Sequence, residues 1–178
     1  MKVVVKDANI FIDLALMRIS DLWFQLPYTT MTTTLVEEEL EAKTDTDQIE
    51  AASRQALTYI QNELVSSISQ DVFLLRMEYQ KYETTQLSEA DISVLYLAET
   101  EKAKLLSGDK QLRKLALKNE IEVHGTLWIL QELVAAGVLN PLEAAEKLSA
   151  LLALSGANHR RLPVKKSEEF IERWQSMS

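Results

Sequence analysis

Short apolar runs alternate along this chain with longer segments of helical periodicity, and this alternation most constrains the fold. The first run, residues 3–6, is β-branched and stops at Asp7. Further strand candidates occupy residues 28–34, 64–68, 104–107 and 121–124. Strands that alternate with helices build βαβ units around a parallel sheet. We therefore predict an α/β fold, a three-layer α/β/α sandwich with a central, mostly parallel five-stranded sheet.

The intervening segments carry helical spacing and several helix start signals. Predicted helices cover residues 9–17, 36–42, 49–62, 71–82, 88–98, 112–119, 126–137 and 140–155, and a last helix includes Phe170 and Trp174. Thr126 is the predicted cap of its helix, and Glu143 completes a predicted capping box with Asn140. Residues 159–166 are predicted to form a basic loop. No repeat or linker interrupts the chain, which indicates one domain, 1–178, with a core of about 1–130 and a helical extension, 131–178, that covers the sheet or forms a dimer surface.

Composition excludes several classes of protein. The 178 residues include no cysteine, which rules out disulfides, thiolate zinc sites and a cysteine nucleophile. No apolar run approaches the roughly 20 residues of a membrane span, and the first residues do not resemble a signal peptide, so we expect a cytoplasmic protein without membrane contact. A net charge of −8 argues against coating nucleic acid with a basic face. It leaves room for an enzyme in which metal ions supply the local positive charge.

Four acidic residues fall where the predicted strands end. Asp7 ends the first strand and Asp109 follows the strand that begins at Lys104, while Glu39 and Asp91 lie early in helices. The carboxyl ends of parallel strands meet at one edge of a sheet, where ligands bind in open α/β folds. Carboxylates gathered there would repel one another unless a cation lay between them. Oxygen ligands of this kind favour Mg²⁺ or Mn²⁺ over zinc.

Each acid also has a local explanation. Asp91 lies three residues after Ser88, which is the spacing of a helix cap, and for this residue alone the cap is the better explanation. Asp109 after Gly108 is typical of an N-cap, and Asp7 suits a turn. Glu39 belongs to an acidic run that is typical of an exposed helix face. The local explanations leave the shared position at one sheet edge unexplained.

Several segments together resemble the motifs of PIN-domain proteins, in the expected order over about residues 3–130. Residues 3–13 resemble the opening strand, with Asp7 at its end and Asn9 two residues later. Residues 33–40 resemble the second motif and select Glu39, with Glu38 as the alternative register. The third and fourth motifs are similar to residues 87–98, around Asp91, and 105–113, where Ser107 precedes Asp109 by two residues. Residues 123–127 are similar to the segment after the last strand of the family.

The resemblance implies hydrolysis of RNA phosphodiester bonds with Mg²⁺ or Mn²⁺. Asp7, Asp91 and Asp109 would bind the metal directly, and Glu39 would bind it directly or through water. Asn9 and Ser107 would support these ligands or orient water. The resemblance extends to VapC-type toxins, which implies a small antitoxin partner and a homodimer. The candidate phosphate contacts are basic residues after the fourth acid and in the later basic run: Lys110, Arg113, Lys114, Lys118, His159, Arg160, Arg161, Lys165 and Lys166.

Other functions are weaker alternatives. A non-catalytic nucleic-acid- or protein-binding module on the same fold is favoured slightly by the acidic balance and by Gln111, where many family members carry a further acid. Because this further acid is missing, the number of metal ions that the site would hold stays open. A phosphohydrolase with Asp7 as the nucleophile would need a second aspartate where the chain has Asn9. The spacing of Asp7, Asn9 and Asp13 lacks the glycine of a calcium loop, and the two histidines lack metal-ligand spacing.

Overall fold

The computed structural model describes residues 2–154 and 162–177 and contains one five-stranded sheet. The strands are β1 (Lys2–Lys6), β2 (Tyr28–Thr33), β3 (Val65–Ile68), β4 (Lys104–Leu106) and β5 (Val123–His124). Their order is β3-β2-β1-β4-β5, and every neighbouring pair is parallel. The predicted α/β/α fold is confirmed, with a sheet that is parallel throughout.

The helices connect the strands and continue beyond the last one. They are α1 (Ala8–Leu16), α2 (Ser20–Trp23), α3 (Thr34–Ala42), α4 (Asp47–Gln61), α5 (Val72–Lys81), α6 (Glu89–Thr100), α7 (Lys110–Lys118), α8 (Thr126–Ala135), α9 (Pro141–Ala153) and α10 (Val164–Gln175). None of these helices within the described ranges has both the length and the apolar character needed to cross a membrane.

The sheet is buried on both faces, as its alternating contacts show. Val5 and Leu105 belong to one hydrophobic cluster, together with side chains of α4, α6 and α7. Val4 and Leu106 belong to the other, together with side chains of α8, α9 and α10. Neighbouring residues of one strand point to opposite faces, so β1 and β4 supply both clusters. This arrangement fixes the central strands and leaves their carboxyl ends at one edge.

Polar caps start most helices directly after strands or turns. Asp7, Thr33, Asp71, Ser88 and Asp109 are the N-caps of α1, α3, α5, α6 and α7, and each accepts a hydrogen bond from a backbone N–H of the first turn. Such side chains satisfy donors that a helix leaves unpaired. Thr33 is therefore both the last residue of β2 and the N-cap of α3, and Asp7 caps α1 directly after the last residue of β1.

Several predicted boundaries were wrong in detail. Gly125 is the N-cap of α8 and Thr126 is the first helical residue, so Thr126 does not cap this helix. Asn140 caps α9 by accepting from the Leu142 N–H, and the structure shows no return bond from Glu143. Lys165 and Lys166 of the predicted basic loop lie within α10, which begins at Val164, and His159, Arg160 and Arg161 lie outside the described residues. The four-residue helix α2 was not predicted as a separate element.

Candidate metal centre

A serine hydroxyl joins two of the four candidate acids. The Ser107 Oγ donates to Asp7 Oδ2 and accepts from the backbone N–H of Asp109 at 3.1 Å. Asp7 and Ser107 are both buried. The other oxygen of the Asp7 carboxylate, Oδ1, accepts from the backbone N–H groups of Asn9 at 2.9 Å and Ile10 at 3.2 Å. Residues 100 positions apart are thus held in one hydrogen-bonded unit.

Strand pairing explains why these residues meet. β1 and β4 are parallel neighbours, and their last residues, Lys6 and Leu106, stand opposite each other. The backbone N–H of Asp7 continues the ladder by donating to the Leu106 carbonyl at 3.1 Å. Asp7 and Ser107 therefore follow the two strands at the same level, and Asp109 caps the helix that comes next.

Asp91 lies in the first turn of α6, and its side chain bonds to the residue that caps this helix. Its Oδ2 accepts from the Ser88 backbone N–H at 2.8 Å, and its own backbone N–H donates to Ser88 Oγ at 3.1 Å, which together form a capping box. The Ser88 hydroxyl also donates to Oδ2 at 3.0 Å. Two residues later, the Ser93 hydroxyl shares a 2.7 Å hydrogen bond with Thr33, the last residue of β2. The start of α6 is therefore anchored to the carboxyl end of β2.

Glu39 lies in the second turn of α3, the helix that follows β2. Its Oε1 is 3.4 Å from Lys43 Nζ, an ion pair across one turn of the helix. The alternative, Glu38, is exposed, whereas Glu39 is half-buried. The third member of the acidic run, Glu37, accepts from the Ser67 hydroxyl at 2.7 Å. Among the three, Glu39 and Glu37 are the partly buried carboxylates.

The structure joins Asp7 to Asp109 through Ser107 and leaves Glu39 and Asp91 in separate local contacts. Within residues 2–154 and 162–177, no group of three or more acidic or histidine side chains is arranged to hold a metal. Three carboxylates nevertheless each keep one oxygen that accepts no hydrogen bond from the described part of the chain: Asp109 Oδ2, Asp91 Oδ1 and Glu39 Oε2.

The donor set fits a hard divalent cation. Mg²⁺ prefers carboxylate oxygens and keeps several waters, so one or two carboxylates are enough to bind it. Asp7 and Asp109 supply two such groups beside the N-termini of α1 and α7, and Ser107 connects the Asp7 carboxylate to the Asp109 backbone. The chain has no cysteine, and His124 Nε2 is engaged with Glu122 at 2.7 Å. These residues suit Mg²⁺ or Mn²⁺ better than a metal that prefers sulfur or imidazole.

Arg113 supports this unit from α7. Its Nη1 donates to the Ser107 carbonyl at 3.0 Å, and burial lowers the pKa of the guanidinium from its ordinary value. A Cβ at Gly125 would lie 3.0 Å from this nitrogen, so any other residue there would press against the guanidinium and displace it slightly. The prediction that Arg113 contacts phosphate remains untested, and the structure adds a positioning contact. Lys110 and Lys114 of the same helix are exposed.

Two features of the site region were missed by sequence reasoning. Lys6, directly before Asp7, is buried with its Nζ 4.1 Å from the centre of the Trp23 ring, and burial holds its pKa well below the usual range. Asp13 accepts from the Thr126 hydroxyl at 2.6 Å, a contact between α1 and α8. Both depend on partners distant in sequence, and no local pattern indicates them.

A protein-family model described as a PIN domain matches residues 3–176, which is nearly the whole chain. The chain therefore belongs to the PIN-domain family, whose members are generally nucleases that use divalent metals and bind RNA. No curated protein shows significant sequence similarity to the chain. The matched region includes α8, α9 and α10, the helices that follow β5.

Proposed function

We propose that this protein is a metal-dependent endoribonuclease that hydrolyses RNA phosphodiester bonds with Mg²⁺ or Mn²⁺. The observation that carries the proposal is the contact of the Ser107 hydroxyl with both Asp7 and the Asp109 backbone, at the carboxyl edge of a PIN-type sheet. Ligands of open α/β sheets bind at this edge. The family membership supports a nuclease, and the residues supply oxygen ligands at the expected place.

In this proposal Asp7 and Asp109 hold the cation, and Asp91 and Glu39 add carboxylate oxygens directly or through water. A bound Mg²⁺ or Mn²⁺ lowers the pKa of a water and offsets charge on the phosphate. Ser107 keeps the two aspartates at a fixed spacing, and the backbone N–H of Asn9 holds Asp7 Oδ1 in place. Lys110 and Lys114 are exposed cations for the RNA backbone.

The direct test compares wild-type protein with Asp109→Asn on RNA in the presence of Mn²⁺. We expect the wild type to cleave and the variant to fall below about 1% of its rate, because loss of a metal-holding charge removes several kcal/mol of stabilisation. Both proteins should bind RNA equally in EDTA, since without the cation Asp109 makes no phosphate contact in this proposal. Equal cleavage by the two proteins would contradict the proposal.

The second acid is tested by matched glutamate variants on α3. Glu39→Gln should reduce cleavage in Mn²⁺, whereas Glu38→Gln and Glu41→Gln should retain it, because these two side chains are exposed. Loss of activity in Glu38→Gln alone would show that Glu38, and not Glu39, is the second acid. Unfolding curves of all three variants check that only activity changes.

A non-catalytic binding module on the same fold is the second candidate. It is favoured by the engagement of Asp91 in a capping box and of Glu39 with Lys43. Calorimetric titration with Mn²⁺ separates the candidates. Binding that Asp7→Asn abolishes supports the nuclease, and no Mn²⁺ binding by the wild type supports the module.

We further propose, from the family resemblance alone, that the enzyme is the toxin of a toxin–antitoxin pair and forms a homodimer. A small antitoxin would then bind over the acidic edge and block RNA. Growth arrest on expression of the wild type, absent with Asp109→Asn and relieved by the product of a small adjacent reading frame, is the expected result. Normal growth with an active nuclease would contradict the toxin role. Light scattering of the purified chain measures its oligomeric state.

A further inference from the structure

A pocket of about 350 Å³ opens beside Asp109. Gly108 and Lys110, the residues on either side of Asp109, line it from the β4–α7 junction. The start of α8 forms a second wall, and Pro163 and Lys166 of the α10 region form a third. Volumes of 300 to about 1,000 Å³ are typical of sites for small organic ligands. The pocket therefore has room for one nucleotide next to the candidate metal-holding residues.

Positive charge predominates in the wall of this pocket. Among the described residues, Lys110, Arg113 and Lys166 line it, against one carboxylate, Asp13, which already accepts a hydrogen bond from Thr126. Arg113 is half-buried and has no ion pair with a carboxylate anywhere in the described ranges. Its one hydrogen bond there goes from Nη1 to the neutral Ser107 carbonyl. A partly buried cation without a counter-ion favours an anionic ligand, and phosphate matches the planar donor array of arginine.

Aromatic rings complete the wall. His124 and Trp128 line the pocket and stack on each other with ring centres 4.3 Å apart and planes 12° apart. Trp128 is half-buried, unlike Trp23 and Trp174, which are fully buried. Aromatic side chains in nucleic-acid sites bind bases by contact with their flat faces. An anion-binding wall beside aromatic rings is the combination that recognises a nucleotide.

We propose that this pocket binds one nucleotide of the RNA substrate, with its phosphate at Arg113, Lys110 and Lys166 and its base against Trp128 and His124. The proposal rests on the proposed ribonuclease function for the identity of the polymer. It adds a binding site for the nucleotide next to the cleaved bond, and this site is separate from the metal-holding carboxylates. The pocket would then position the RNA strand relative to Asp109.

The test uses ribonucleoside 5′-monophosphates and nuclear magnetic resonance in EDTA, so that no metal chemistry contributes. We expect the indole N–H resonance of Trp128 to shift on titration while those of Trp23 and Trp174 stay unchanged. Lys166→Gln and Trp128→Ala should each weaken binding about tenfold, as expected for loss of a charge-assisted contact or of base stacking. Lys81→Gln, an exposed lysine of α5 distant from the pocket walls, is the charge-matched control.

Ribose 5-phosphate and inorganic phosphate distinguish a nucleotide site from a phosphate site. Both should bind at least about tenfold more weakly than the monophosphates, because they lack the base. Equal affinity for all three probes, or no shift of Trp128, would overturn the proposal. Asp109→Asn should bind monophosphates as the wild type does. If the protein binds nucleotides but does not cleave RNA, the nuclease proposal fails and the pocket proposal stands. If it cleaves RNA but does not bind nucleotides, the pocket proposal fails and the nuclease proposal stands.

Discussion

At the scale of single residues, one hydroxyl group connects the candidate metal centre. Ser107 is fully buried, and its Oγ both donates to Asp7 and accepts from the Asp109 N–H. A side chain with this double role ties the Asp7 carboxylate to the backbone that begins α7, where Asp109 lies. Alanine could fill the space but could neither hold Asp7 nor satisfy the Asp109 N–H.

We predict that Ser107→Ala reduces cleavage and Mn²⁺ affinity about 10- to 100-fold, the usual effect of removing a group that orients metal ligands. It should also cost about 1–3 kcal/mol in free energy of unfolding, because partners of a buried hydroxyl lose their hydrogen bonds. Calorimetry and urea unfolding measure the two effects.

Ser53 provides the matched control for this substitution. It is equally buried, on α4, and its hydroxyl has no hydrogen-bond partner in the described structure. Ser53→Ala should therefore leave cleavage unchanged and raise stability by about 0.5–1 kcal/mol, since it removes an unsatisfied polar group from a helix. Similar activity losses in both variants would show that Ser107 acts only through folding.

At the scale of elements, the sequence indicated the strands and most helix starts because these depend on local chemistry. The strand–Asp junction at Asp7 and the Ser88–Asp91 pair are recognisable from a few adjacent residues. The contact of Arg113 with Ser107 and the stacking of His124 on Trp128 depend on helix orientation after packing. Sequence reasoning therefore located the acids on their elements and could not foresee the pocket beside them.

The turn that follows α7 contains a strained residue, which allows a prediction about stability. Glu120 has a φ of 58°, in the left-handed region that costs an ordinary side chain about 1 kcal/mol and costs glycine almost nothing. Glu120→Gly should raise the free energy of unfolding by about 0.5–1 kcal/mol in thermal or urea denaturation. Lys114→Gly, at an exposed position in the middle of α7, should instead lower it by about 1 kcal/mol. Destabilisation by both variants would contradict the prediction.

Helices α2 and α4 are joined by a hydrogen bond whose strength depends on pH. The Tyr59 hydroxyl donates to Asp21 Oδ1 at 2.7 Å, and burial together with this carboxylate raises the pKa of Tyr59 to about 12. The folded state thus holds the proton more tightly than the unfolded chain, in which tyrosine has a pKa of about 10. The resulting stabilisation is complete below pH 10 and is lost as the pH rises through about 12.

We predict that Tyr59→Phe is less stable than the wild type by about 1 kcal/mol at pH 8, the usual contribution of such a hydrogen bond. The difference should shrink between about pH 10 and pH 12, where the wild type loses this stabilisation and the variant does not. Urea unfolding at several pH values measures it. Asp21→Asn keeps an acceptor without the charge, so the pKa of Tyr59 in the folded variant should be lower than in the wild type. Its pH-dependent loss of stability should therefore be smaller and complete at a lower pH. A difference that is constant with pH would contradict the assignment.

At the scale of the whole molecule, the helices after β5 complete the fold. Leu130 of α8, Leu148 of α9 and Trp174 of α10 share one hydrophobic cluster with Val4 and Leu106 of the central strands. Without these helices that face of β1 and β4 would keep only the part of its cover that α1 and α2 supply. The family match to residue 176 includes them as well. The predicted boundary between a core and an extension near residue 130 follows the order of elements along the chain. The shared hydrophobic cluster favours a sheet and C-terminal helices that unfold together as one cooperative unit.

We predict that Trp174→Ala lowers the free energy of unfolding of the entire chain by about 3–5 kcal/mol, the cost of a large cavity in a core. The Trp174 side chain is almost fully buried and packs on Phe170 with ring centres 5.2 Å apart. If the helices and the sheet form one unit, circular dichroism and tryptophan fluorescence should report the same shifted midpoint. Val164→Ala, at an exposed position of the same helix, should shift neither signal. Early loss of part of the helical signal, followed by unfolding of the sheet at the wild-type midpoint, would show that residues 131–178 fold as a separate appendage.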